Sequence, residues 1–141
     1  MLPFIRAIAV CTFLVIANIA AFAADTPTSK NDALDGLQFK GETGEQGKGD
    51  HHEDTITFKD GQFRSLDCES WGFGPAPYSV KKEGGSYHFS ATLLSPNRGK
   101  LEWKGTITGD TAKANFRWLH KRWYWTIDRQ YWFKGTQHSG Q

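Results

Sequence analysis

The side chains here whose chemistry is worth asking about are one thiol, two groups of histidines and a dense set of aromatic rings. Cys68 lies in Asp67-Cys68-Glu69-Ser70-Trp71-Gly72-Phe73-Gly74-Pro75-Ala76-Pro77-Tyr78, a segment that does not alternate and whose prolines and glycines break regular strand, so it reads as a loop. A lone cysteine there is a buried bystander, an intermolecular bridge, or a reactive or ligating thiol. His120 is the nearest thing to a base for it, but nothing in the spacing brings the two together. His51-His52-Glu53-Asp54 has the residue types of a metal site, yet neighbours on an extended chain point to opposite sides, and no HExxH or paired-cysteine motif completes a ligand set. That run reads as a solvated acidic loop. With no Gly-x-Ser-x-Gly elbow, phosphate-cradling loop or dinucleotide fingerprint either, the chain reads as a non-enzyme without cofactor or metal.

The aromatics point instead to binding. Cys68, Trp71, Phe73 and Tyr78 from the loop, with Trp103, Phe116, Trp118 and His120 from strands, form the candidate ligand-binding set. The loop either lids a cavity lined by Phe39, Phe58, Phe89, Trp103, Phe116 and Trp118, or plugs the end of a small core. Near the C-terminus Trp118, Trp123, Tyr124, Trp125, Tyr131 and Trp132 are too dense for one inward face. Trp123, Trp125 and Ile127 read as opening a strand, with Tyr124 on its other side. The outward rings are open to a protein or glycan through Tyr124 and Trp132, or are covered by Arg117, Lys121, Arg122 and Arg129.

The elements that must carry these residues alternate with period two. Leu37 and Phe39, Ile56 and Phe58, Tyr87 to Leu93, Leu101 to Ile107, and Ala112 to Trp118 each put apolar side chains on one face and polar ones on the other. Asp60-Gly61, Pro96 to Gly99 and Gly109-Asp110 supply the turns. The step aromatic-Lys-Gly recurs at Phe39-Lys40-Gly41, Trp103-Lys104-Gly105 and Phe133-Lys134-Gly135, where an inward glycine lets a strand bend and the aromatic fills the space. The fold class is all-β: an antiparallel up-and-down meander of about eight strands, expected to close into a small barrel because closure removes exposed edges.

Leu34-Asp35-Gly36-Leu37-Gln38-Phe39, the meander and the late Trp-rich strands together resemble the lipocalin and avidin type of exported barrel over residues 34–136. Phe39 stands where a lipocalin's Gly-x-Trp has its tryptophan, with one residue more between. The resemblance implies a ligand-binding barrel. The Phe-Lys-Gly and Gly-Phe-Gly-x-Ala-Pro-Tyr stretches are also similar to those of small exported bacterial proteins, which implies no activity.

Arg6, an apolar run from Ala7 to Ala21 broken only by Thr12 and Asn18, and Ala21-Phe22-Ala23 together read as a secretory signal peptide over residues 1–23. Bulky Val10 before Cys11 argues against lipidation there, so no membrane anchor is expected after cleavage. Taking 23 residues from 141 leaves 118, enough for one domain, and losing Arg6 takes the formal net charge from +2 to +1, which argues against nucleic acid as a partner. The expected organisation is a flexible leader over 24–33, one barrel over 34–137 and a disordered tail over 138–141. The location is exported, meaning periplasmic in a Gram-negative bacterium and secreted otherwise. Cleavage leaves Cys68 as the one cysteine, so no internal disulfide can form.

Overall fold

The structure, a computed structural model, describes residues 32–139; the segment read as a signal peptide, most of the expected leader and the last two residues of the expected tail lie outside the described residues. Eight strands follow in order: β1 Gln38–Glu45, β2 His51–Lys59, β3 Gln62–Ser65, β4 Ala76–Glu83, β5 Ser86–Ser95, β6 Gly99–Thr108, β7 Thr111–Lys121 and β8 Thr126–Gln137. Each pairs antiparallel with the next, and β1 pairs back onto β8, so the meander is a closed barrel compatible with lipocalin-like architecture.

Period two decides which side chains enter. Along β7, Ala112, Ala114 and Phe116 are buried while Lys113, Asn115 and Arg117 are exposed. At the Asp60-Gly61 turn both residues have positive φ, 53° and 74°, the backbone a two-residue hairpin of matching twist requires. The three aromatic-Lys-Gly steps sit where strands press together. Gly41 faces Gly135 across the β1–β8 seam, and a Cβ on Gly41 would run into the Lys134 carbonyl. A Cβ on Gly135 would lie 2.7 Å from the Phe133 ring, two residues earlier in its own strand; Gly105 is covered by the Phe89 ring of the neighbouring strand.

The two ends of the barrel differ. At one, the turn carrying Leu34 folds under the strands: Gly36 N–H donates to the Phe58 carbonyl at 2.8 Å, and the Asp35 carboxylate accepts from Gly61 N–H and from the Tyr78 hydroxyl at 2.7 Å. Leu34 is thereby fully buried. From this closed end an aromatic column fills the interior: Tyr78 on Phe58, Phe58 on Phe63, Phe63 on Trp103, Trp103 stacked on Phe116 at 4.0 Å, and Phe116 stacked on Tyr131 at 5.1 Å. Phe39, Phe58, Phe89 and Trp103 are packed into this core; of the six residues expected to line a cavity, Phe116 and Trp118 border the one at the other end of the barrel.

The other end is left open, bounded on one side by a short helix, α1 Leu66–Ser70, where the sequence read as loop. The loop reading extended to Tyr78, but Ala76–Tyr78 already belong to β4. His51-His52-Glu53-Asp54 is not a solvated loop but the start of β2, with Asp54 buried, because β2 extends its pairing with β1 up to Gly44. Conversely Trp123, Tyr124 and Trp125 lie between β7 and β8 rather than in a strand; the Arg122 N–H donates to the Trp125 carbonyl at 2.8 Å and closes the tip.

Candidate functional site

The open end holds a cavity of about 320 Å³ bordered by Cys68, Phe73, Leu101, Phe116, Trp118 and Tyr131, with His52, Asp67, Trp71, Arg98 and Arg129 around its rim. The strands place these residues by register. Leu101 pairs with Trp118 and Trp118 with Arg129; one step deeper, Trp103 pairs with Phe116 and Phe116 with Tyr131. All share the inward phase of β6, β7 and β8, so the floor is the top of the aromatic column and the wall is its continuation toward solvent.

α1 supplies the opposite wall. Ser65 is its N-cap: backbone φ −113°, ψ 124°, with Oγ accepting from Cys68 N–H at 3.1 Å, and the same hydroxyl donates to Asp54 Oδ2 at 2.7 Å. Asp54 Oδ1 accepts from Asp67 N–H at 3.0 Å, so one buried carboxylate satisfies the cap and the first turn together. Burial still pushes the Asp54 carboxyl above its ordinary value, against these hydrogen bonds. Gly72, at φ 90°, ends the helix and sends Phe73 inward.

Cys68 is buried, and burial pushes its thiol up to about 12, opposed by the Ser65 hydroxyl. A thiol so desolvated is a weak nucleophile near neutral pH, and its side chain forms part of the cavity wall. The indole N–H of Trp103, beside it, is buried with no hydrogen-bond partner among the described residues, sulfur being a weak acceptor.

The rim is polar. His52 Nε2 is 2.8 Å from Asp67 Oδ2. Trp118 Nε1–H donates to the Arg98 carbonyl at 2.7 Å, and the Arg98 guanidinium lies over the Trp71 ring at 5.2 Å. The Tyr131 hydroxyl is raised above its ordinary value by burial first and by Glu45 second, with Arg129 pulling the other way. Among the described residues neither Arg98 nor Arg129 has a carboxylate within 4.0 Å. The arrangement offers an aromatic slot with hydrogen-bond donors at its entrance.

Of the eight residues nominated from the sequence, Cys68, Trp71, Phe73, Phe116 and Trp118 meet at this cavity. Tyr78 lies at the closed end, where Asp35 and Leu34 N–H hold its hydroxyl. Trp103 is beneath the floor, stacked under Phe116. His120 is on the rim side of Trp118, its ring 6.5 Å away, and does not border the cavity. Sequence reasoning missed His52, Asp67, Arg98, Leu101, Arg129 and Tyr131. Continuing the inward phase to the strand ends finds four of them: His52 from Asp54 and Ile56, Leu101 from Trp103, and Arg129 and Tyr131 from Phe133. Arg98 is in the β5–β6 loop and has no such signal.

Outside the barrel, Trp132 is half-buried, with Lys134 over its ring at 5.7 Å and His51 beside it, so its cover is not the arginines expected. A larger hollow of about 970 Å³ on that outer face is open to solvent and bordered by Lys81, Lys104, Lys113 and Lys134. Among the described residues no group of three or more His, Cys, Asp or Glu side chains could hold a metal ion. Comparison of the chain with protein-family models, with curated proteins and with solved structures gives no match.

Proposed function

We propose that this protein is an exported β-barrel that binds a small apolar or aromatic molecule in the cavity at its open end. The observation that carries the reading is the enclosure of about 320 Å³ between α1 and the ends of β6, β7 and β8, walled by Phe73, Leu101, Phe116, Trp118 and Tyr131. At interior packing density such a space takes on the order of fifteen heavy atoms, a molecule of one or two rings. The ligand's apolar body packs against Trp118 and the edge of Phe116, and its polar end meets Arg98, Arg129 or His52. Export rests on residues 1–23 and gives the barrel its working environment outside the cytoplasm.

Native mass spectrometry of protein purified from its own compartment tests both parts. The expected result is a chain beginning at Ala24 that carries one retained small molecule. Titration with naphthalene-1-sulfonate, a two-ring probe with one anionic end, is expected to saturate at one site, and Trp118→Ala to weaken it about tenfold. No retained molecule together with no saturable probe site removes the reading. A second reading, contact with a protein or glycan through Tyr124 and Trp132, is favoured only by the exposure of Tyr124, since Trp132 lies under Lys134.

A further inference from the structure

The β7–β8 tip carries three consecutive large rings that the barrel does not use. Trp123 is 93 % exposed, Tyr124 58 % and Trp125 56 %, although the turn is hydrogen bonded and therefore shaped. Leaving that much aromatic surface in water is unfavourable, and a solvated loop needs none of it.

Ring geometry narrows what can cover them. Trp123 and Tyr124 meet edge-on at 77° and Tyr124 and Trp125 are tilted by 31°, so the three present no common plane on which a sugar could stack. They form a convex point rather than a pocket or a flat patch. Trp and Tyr are the residues that settle at the headgroup level of a bilayer, where the ring is solvated by apolar chain ends and the N–H or O–H stays wet.

Charge agrees. At this end of the barrel Lys48 is paired with Glu45, Arg64 with Glu69, Lys100 with Glu102 and Arg117 with Asp128. Among the described residues Lys121 and Arg122, which lead directly into the tip, have no carboxylate within 4.0 Å, and nor do Arg98 and Arg129 nearby. Asp50 and Glu53, on the adjacent β1–β2 hairpin, and the buried Asp54 are acids here without a cation partner among the described residues, and Glu42 and Asp67 face only histidines. Aromatic rings flanked by free cations match an anionic lipid surface.

We propose that the Trp123-Tyr124-Trp125 tip docks the barrel reversibly on an anionic bilayer surface, with Lys121 and Arg122 against the phosphates. This is peripheral contact, not an anchor, and it stands on observations separate from those at the cavity. It would set the open end of the barrel toward the headgroup layer.

The test is flotation of the chain from Ala24 onward with vesicles of phosphatidylglycerol and phosphatidylcholine, or of phosphatidylcholine alone, with tryptophan emission followed in parallel. Binding to the anionic vesicles with a blue shift is expected, weakening as salt rises above about 0.1 M. The W123A/Y124A/W125A variant, altered only at exposed positions, is expected to bind about a hundredfold less, roughly fivefold for each ring. K121Q/R122Q is expected to bind about 25-fold less, from the usual contribution of two cations at an anionic surface. Circular dichroism and naphthalene-1-sulfonate binding should stay unchanged in both, which separates this surface from the cavity. Absence of vesicle binding, or equal binding by the triple-alanine variant, overturns the proposal. So does self-association through these rings without vesicle binding, which would assign the tip to a second copy of the chain.

Discussion

Asp54 is the residue on which the open end turns. It is buried, it receives the Ser65 hydroxyl and the Asp67 amide, and through Ser65 it fixes the cap that holds Cys68 and α1 over the cavity. Because burial raises its carboxyl in the folded chain, the folded state binds this proton more tightly than the unfolded state does. Asp54 therefore contributes stability that is greatest in acid and is lost as pH climbs from the ordinary value of 3.8 through the raised one. Asp54→Asn removes the titration while keeping one acceptor for Asp67 N–H. Urea unfolding of both proteins between about pH 4 and pH 7 is expected to show the variant gaining on the parent as pH rises. Parallel curves would mean that the carboxyl ionises in the fold as freely as in the unfolded chain. Cys68 illustrates the other outcome of burial: its position in an aromatic loop suggested chemistry, and desolvation leaves it a piece of wall.

At the scale of elements, curvature comes from glycine. Gly41 and Gly135 let β1 and β8 meet closely enough to close the ring, and Gly105 admits the Phe89 side chain. Gly41→Ala pushes a methyl group into the Lys134 carbonyl, backbone that cannot rotate away, and is expected to destabilise by about 3 kcal/mol, the upper end of overpacking. Gly49→Ala, with nothing within 4 Å, is expected to stay within about 0.5 kcal/mol. Urea midpoints compare the two, and equal effects would remove the close-approach account. These glycines were legible because the aromatic-Lys-Gly step repeats, and the inward faces of β5, β6 and β7 were legible because alternation is local. α1 was not: five residues are too few to show a helical period, and its one sequence mark is Ser65 followed by acids at Asp67 and Glu69. The Trp123 to Trp125 tip was read as strand because three aromatics favour extended chain, a preference that the turn overrides. Tyr78 reaching Asp35 and Arg98 reaching Trp71 are contacts between distant parts of the chain that spacing does not encode.

For the whole molecule, closure is uneven. β5, β6, β7 and β8 pair along nearly their full lengths, whereas β3 and β4 pair only through Gln62 with Pro77 and Phe63 with Ala76. Pro75 and Pro77 offer no N–H there, and the next rung, Tyr78 N–H to the Gly61 carbonyl, is long at 3.4 Å. The seam is held instead by side chains, Phe63 against Phe58, Phe89 and Trp103, and by the Asp35 clamp on Gly61 and Tyr78. It also runs up to α1, so opening it loosens one wall of the cavity without disturbing the strands that carry Phe116, Trp118 and Tyr131. On the proposed reading, this weak side gives the cavity one yielding wall opposite the fixed one formed by β6, β7 and β8. Native-state hydrogen exchange is therefore expected to show the amides of β3, α1 and the start of β4 opening with free energies at least about 2 kcal/mol below those of β6 and β7. Saturating the cavity with naphthalene-1-sulfonate should slow exchange in α1 and at the seam more than in β6 and β7, because bound ligand raises the free energy only of openings that release it. Uniform protection around the ring, with or without probe, would mean that the barrel opens only by global unfolding and that the short seam is no route to the cavity.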